Sequence, residues 1–245
     1  MTFEFTTVLL ALFAVLAGML DATVGGSGLI LIPFLVFTGD SIQLAIGTSR
    51  LIFLMDSFSA MLGHAAKKNI DWKLAAYYSI PSMLAAPVGA YVTSVTSSEV
   101  ISKLFGVFML AMLALILARP GAGVSDKRSM RVFPSVLAGF GIGFMIGLLG
   151  GGVGILIIMA LVFVSGTTML LASGTSQVIV WMTNIVALAA YYNSGLVDVK
   201  TGFILGVMAF LGAQLGVVVA HKAGNRWLKI LLAVLSLASA LKLLL

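Results

Sequence analysis

The chain has 245 residues, of which 61% are hydrophobic and 9% charged, with a mean hydropathy of +1.18. That balance excludes an ordinary soluble domain and points to an all-α integral membrane protein. The absence of cysteine excludes disulfides, thiolate chemistry and cysteine-held metals, and the net charge of +6 sits in short loops, where it reads as a topology signal rather than a nucleic-acid surface. The N-terminal stretch "MTFEFTTVLLALFAVLAG" lacks the cationic start of a secretory signal and is expected to stay embedded. Predicted helices follow at 5–20, 29–37, 44–66, 74–95 and 99–118. A charged stretch, 119–131, then leads to 132–149, 155–164, 170–192, 201–220 and 225–245.

The second half repeats the first. At an offset of 126, Gly25, Gly26 and Gly28 fall on Gly151, Gly152 and Gly154, and "IPFLVF" falls on "IMALVF". One inserted residue later, at an offset of 127, "GTSR" (47–50) falls on "GTSQ" (174–177) and "IDWK" (70–73) on "VDVK" (197–200). Polar letters in register over such a distance mark a duplication. The expected organisation is a first transmembrane repeat at 1–118, a cytoplasmic linker at 119–131 and a second transmembrane repeat at 132–245.

The duplicated motifs "GGSGLILIP", "GTS", "GGGVGILI" and "GTSQ" resemble those of the TauE/SafE family of anion permeases. The resemblance covers almost the whole chain. It implies transport, in the export direction, of sulfite, organosulfonates or related sulfur anions, coupled to protons. Ser27 departs from the family's glycine-richer first motif, which bears on substrate identity more than on fold.

Chain length explains the glycine breaks. A straight helix over residues 5–37 would reach roughly 50 Å, against a hydrocarbon core of about 30 Å. A helical hairpin that turns at the glycines fits instead, and its irregular backbone must face protein or a water-filled cavity. The arms that begin after Gly28 and Gly154 offer helix N-termini to an anion at mid-membrane. The candidate substrate-binding residues at the breaks are Gly25, Gly26, Ser27, Gly28, Gly151, Gly152 and Gly154. Gly139, Gly143 and Gly147, spaced by four, read instead as a helix-packing stripe.

Loop cations set the sidedness. Lys67, Lys68 and Lys73 place loop 64–73 in the cytoplasm, and Arg119, Lys127, Arg128 and Arg131 place 119–131 there. Loop 193–200 is then external and 221–229 internal. Each half makes three full crossings plus a hairpin, so the fold expected is two inverted-topology repeats, each a glycine-broken helical hairpin plus three full transmembrane helices.

The helices after the breaks carry polar faces in repeat register. Arg50, Ser57 and His64 correspond to Gln177, Asn184 and Tyr191. Thr48, Ser49, Thr175 and Ser176 are read at the helix starts, either as site hydroxyls or as caps. Thr48, Ser49, Arg50, Thr175, Ser176, Gln177 and Asn184 complete the substrate-binding candidates. Arg50 suits an oxyanion, although its place near the outer surface also allows snorkelling. Asp56 is the foremost proton-coupling candidate and Asp21, which could pair with Arg50, is the second. His64 is a weaker relay candidate and His221 reads as an interface residue.

The expected partners are a small inorganic or organic anion, protons and the lipid bilayer of a cell membrane, with no nucleic acid. A homo-oligomer is allowed, and neither a cofactor nor a metal nor a catalytic residue is expected. Two other readings remain open: an intramembrane serine protease, because "GGSG" fits Gly-x-Ser-Gly with His64 as base, and an anion channel.

Overall fold

The computed structural model describes residues 3–101, 103, 104, 107, 114, 131–150 and 152–244, with backbone alone for 3–10, 29 and 223–244. Most of the predicted helix 99–118, linker residues 119–130 and Gly151 lie outside the described residues. The described elements are α1 (Phe3–Val24), α2 (Gly28–Phe37), α3 (Ile42–Ala66), α4 (Trp72–Val95), α5 (Val132–Leu149), α6 (Val153–Ser165), α7 (Met169–Asn193) and α8 (Val199–Leu244). Among the described residues, four stretches are long and apolar enough to cross a membrane: Ile42–Ala66, Val132–Leu149, Met169–Asn193 and Val199–Lys222. No strand occurs among the described residues.

Helix starts follow side-chain caps. Ser41 accepts from the Leu44 N–H and Thr168 from the Leu171 N–H, both at 3.3 Å, and Asp71 accepts from the Leu74 N–H at 3.0 Å. Ser41 and Thr168 are repeat equivalents, so "GTS" does not start these helices. It lies more than a turn inside them, and the capping role considered for Thr48 and Thr175 belongs to these earlier residues.

Two helix pairs pack at backbone contact. On α5, a Cβ at Gly143 or Gly147 would overlap the carbonyls of Ser82 or Ala86 on α4. Between α1 and α8, Gly18 lies on the Ala209 carbonyl and Gly212 on the Val15 carbonyl in the same way. The Ser82 hydroxyl donates to the Gly139 carbonyl at 2.7 Å and Thr93 to the Leu148 carbonyl at 2.6 Å. The packing reading of the Gly139 stripe is the one these contacts bear out.

The central helices α3 and α7 exchange contacts with the opposite half. Thr48 Oγ1 accepts from the Asp198 N–H at 2.9 Å, and Thr175 Oγ1 accepts from the Asp71 N–H at 3.0 Å. Gly47 abuts the Leu196 carbonyl as Gly174 abuts that of Asn69. Each "GTS" therefore docks on the "VDVK" or "IDWK" stretch of the other half. The Asp198 carboxyl, outside the spans, is held below the usual range by the Thr201 hydroxyl, which donates to it at 2.6 Å. Partial burial and the charge of Asp198 push the Asp40 carboxyl above its usual range.

One predicted interruption between helices is absent. Helices 201–220 and 225–245 form the single helix α8 of 46 residues, with Gly224 and Asn225 helical. At 1.5 Å per residue that is about 69 Å, more than twice the hydrocarbon thickness. A lone glycine costs a helix only about 1 kcal/mol relative to alanine, and no proline accompanies it to enforce a stop. After its hairpin, the second half thus shows two long helices rather than three.

Candidate functional site

The two chain breaks meet. α1 ends at Val24, Gly25 adopts φ 72°, and α2 starts at Gly28. α5 ends at Leu149, Gly150 and Gly152 adopt φ 77° and 73°, and α6 starts at Val153. Such positive φ values favour residues without a Cβ. The turns touch through backbone: a Cβ on Gly25 would stand 2.5 Å from the carbonyl carbon of Gly154. Beside this contact lies a cavity of about 20 Å³, room for about one water. The first turn lines it with Asp21, Gly25, Ser27 and Gly28, and the second with Gly150, Gly152, Val153 and Gly154. Phe53 of α3, Ile146 of α5, and Val180 and Asn184 of α7 close it.

Arg50 stands behind one wall of this cavity. It is 0% exposed, so it does not snorkel; the α5–α6 turn reaches far enough to cover it. A Cβ on Gly150 would overlap its Nη2. Nη1 donates to Asn184 Oδ1 at 3.2 Å, and the Asn184 amide donates in turn to the Val180 carbonyl at 2.9 Å. The guanidinium carbon lies 5.8 Å from the Phe53 ring centre and 5.7 Å from that of Tyr191, within cation–π range. The Tyr191 hydroxyl donates to the Gly147 carbonyl at 2.6 Å, which ties the same ring to the end of α5. Nε and Nη2 have no hydrogen-bond partner among the described residues. The one ion pair described is Lys103–Glu99 at 2.6 Å, so the suggested Asp21–Arg50 pair does not form.

The carboxylates occupy the other side. Asp21 lies on α1 just before the break, within the helix because α1 runs four residues further than predicted. Its Oδ1 accepts from the Ser27 hydroxyl at 2.7 Å. Its Oδ2 is unpartnered among the described residues. Gln177, the repeat equivalent of Arg50, donates to the Asp21 carbonyl at 2.8 Å and leaves Oε1 unpaired. Asp56 is fully buried, and among the described residues neither of its oxygens is bonded; its repeat equivalent Thr183 is buried with its hydroxyl likewise unbonded.

The structure thus brings Asp21, Gly25, Ser27, Gly28, Gly152, Gly154 and Asn184 to one cavity, with Arg50 behind the wall. Gly26 is buried in the first turn, and Gln177 reaches the cavity's edge through Asp21. The "GTS" hydroxyls are not brought there. Ser49 and Ser176 donate to the Ile46 and Ser173 carbonyls of their own helices, both at 2.7 Å, and the two threonines serve the contacts between halves. Phe53, Val180, Ile146 and Tyr191 were missed as site neighbours. Phe53 and Val180 are repeat equivalents, each three residues past Arg50 or Gln177, and that register is the signal that would have found them.

His64 Nε2 pairs with the Ala22 carbonyl at 3.0 Å and Nδ1 with the Asn69 amide at 3.2 Å, so both ring nitrogens are engaged away from Ser27, whose own hydroxyl goes to Asp21. No Ser–His pair of the kind a serine protease uses is present here. The His221 ring lies tilted against that of His64, with ring centres 5.2 Å apart.

Residues 10–243 match the family model described as "Sulfite exporter TauE/SafE". A probable membrane transporter protein of Sinorhizobium sp. (ORF9) is 30% identical over 235 residues, covering 94% of this chain and 89% of that protein. A probable membrane transporter protein of Methanocaldococcus jannaschii is 28% identical, covering 94% of this chain and 93% of its own. The probable membrane transporter protein YfcA of Escherichia coli is 26% identical, with coverage of 94% and 87%. No solved structure matches.

Proposed function

The chain belongs to the sulfite exporter TauE/SafE family of membrane transporters, and from that premise we propose that it is a proton-coupled secondary exporter of small sulfur-containing anions such as sulfite or organosulfonates. The anion is held near mid-membrane, between the two glycine turns, in a cell membrane. The observation that carries this reading is the buried, unpaired guanidinium of Arg50 beside a cavity built from two broken helices. A buried cation with free donors and no carboxylate partner is costly unless an anion visits it.

Charge accounting supports the coupling. The Arg50 guanidinium is buried behind the cavity wall, the Asp21 carboxyl lines the cavity, and the Asp56 carboxyl is buried without lining it. An anion that enters adds negative charge in a poor dielectric, so its occupancy and the protonation of those carboxyls are linked. The cavity, with room for about one water, is smaller than a sulfite or sulfonate group, so the hairpin arms must part to admit substrate. The halves act as inverted repeats that rock about this fixed site. The reciprocal contacts of Thr48 with Asp198 and Thr175 with Asp71 support that relation.

The experiment is flux in proteoliposomes. Sulfite should move down an imposed pH gradient to above its equilibrium level, with proton movement in step, while chloride should not. Sulfite flux that equals chloride flux and ignores the gradient would favour a channel and reject this reading.

A further inference from the structure

The two turns are alike in backbone and opposite in charge. At the first turn, a carboxyl already stands at the start of α2: Asp21 accepts from the Ser27 hydroxyl. The repeat equivalent of Asp21, at the offset of 126, is Gly147, so the start of α6 has no such carboxyl. Beside it lies Arg50 instead, against Gly150.

The orientation of Arg50 is informative. Nη1 is taken by Asn184. Nε and Nη2, which share one edge of the planar guanidinium, are unpartnered although the side chain is 0% exposed. That edge is the one whose two N–H groups match two oxygens of a single oxyanion. Phe53 and Tyr191 fix the plane of the guanidinium, and the hydroxyl bond from Tyr191 to Gly147 ties it to the second turn.

Resting on the proposed function, we infer that the two turns are not equivalent: the transported anion binds at the second turn only, across the Nε–Nη2 edge of Arg50 and the N-terminus of α6, while Asp21 fills the matching position at the first. Tyr191 and Gly150 are positioning residues for that edge, Tyr191 by holding its plane and Gly150 by leaving room where a Cβ would overlap Nη2. The subsite selects anions that present two oxygens on one face over spherical ones.

Binding to the detergent-solubilised full chain tests this, with sulfite, sulfate and chloride as probes and thermal stabilisation as the readout. In the wild type, sulfite or sulfate should stabilise more than chloride. Arg50→Lys keeps the charge and loses the fork, so two-oxygen affinity should fall about tenfold or more while chloride affinity holds. Tyr191→Leu should weaken sulfite binding, and Tyr191→Phe, which keeps the ring, should weaken it less. Equal loss for chloride and sulfite in Arg50→Lys, unchanged sulfite binding in that variant, or no binding of any probe to the wild type would overturn the inference. If sulfate binding depends on Arg50 yet sulfite flux is absent, the subsite stands and the transport reading fails.

Discussion

Gly25→Leu and Gly154→Leu are each expected to abolish anion binding and flux. At Gly25 two costs combine. A side chain at φ 72° is strained by about 1–2 kcal/mol, and its Cβ would stand 2.5 Å from the Gly154 carbonyl carbon. Backbone cannot swing aside as a side chain can, so the turns must separate. Gly154 has no such φ, but its Cβ would be 2.5 Å from the Gly25 carbonyl oxygen. Both substitutions therefore break one contact from opposite sides. Gly25→Ala is the milder companion and should act in the same direction where the leucine variants yield too little protein. Sulfite-dependent thermal stabilisation and proteoliposome flux are the measurements. Wild-type affinity in all three variants would mean that the turns serve packing alone.

Asp56→Asn should separate binding from coupling. Asp56 is fully buried and neither of its oxygens is bonded, while its repeat equivalent is the neutral Thr183. The duplicated architecture thus requires no charge at this position. An unpaired carboxyl buried in a membrane helix is costly as an anion and is a natural place for a proton to load and leave. The variant is expected to keep sulfite exchange at equal pH, because exchange needs no net proton movement. Gradient-driven accumulation should fall to the equilibrium level. Accumulation at the wild-type rate would make Asp56 structural and turn attention to Asp21.

The turns were legible because their cause is local. Thirty-three residues are too many for one crossing and too few for two, and glycine is the residue that reverses a chain at positive φ. Repeat register was legible too, since "GTS" and "VDVK" keep their letters, although not what they do. Their contact runs between halves, and an arrangement of halves is tertiary information. The snorkelling alternative for Arg50 stayed open for the same reason. Eight residues past the start of α3, it looks superficial until the second turn is known to cover it. The continuity of α8 was missed because Gly224–Asn225 has turn composition, and composition alone does not weigh the helix-forming residues on either side. Phe53, Val180 and Ile146 looked like any apolar membrane residue; only geometry distinguishes a cavity wall from a lipid face.

The central claim is that substrate lies between the two glycine turns beside Arg50. Selenite, a heavier analogue of sulfite, makes this directly visible by anomalous scattering from crystals of the full chain soaked with it. One buried selenium peak is expected between Gly25–Gly28 and Gly150–Gly154, within hydrogen-bond reach of Arg50 Nε and Nη2. A buried peak elsewhere in the helix bundle, with this place empty, would contradict it.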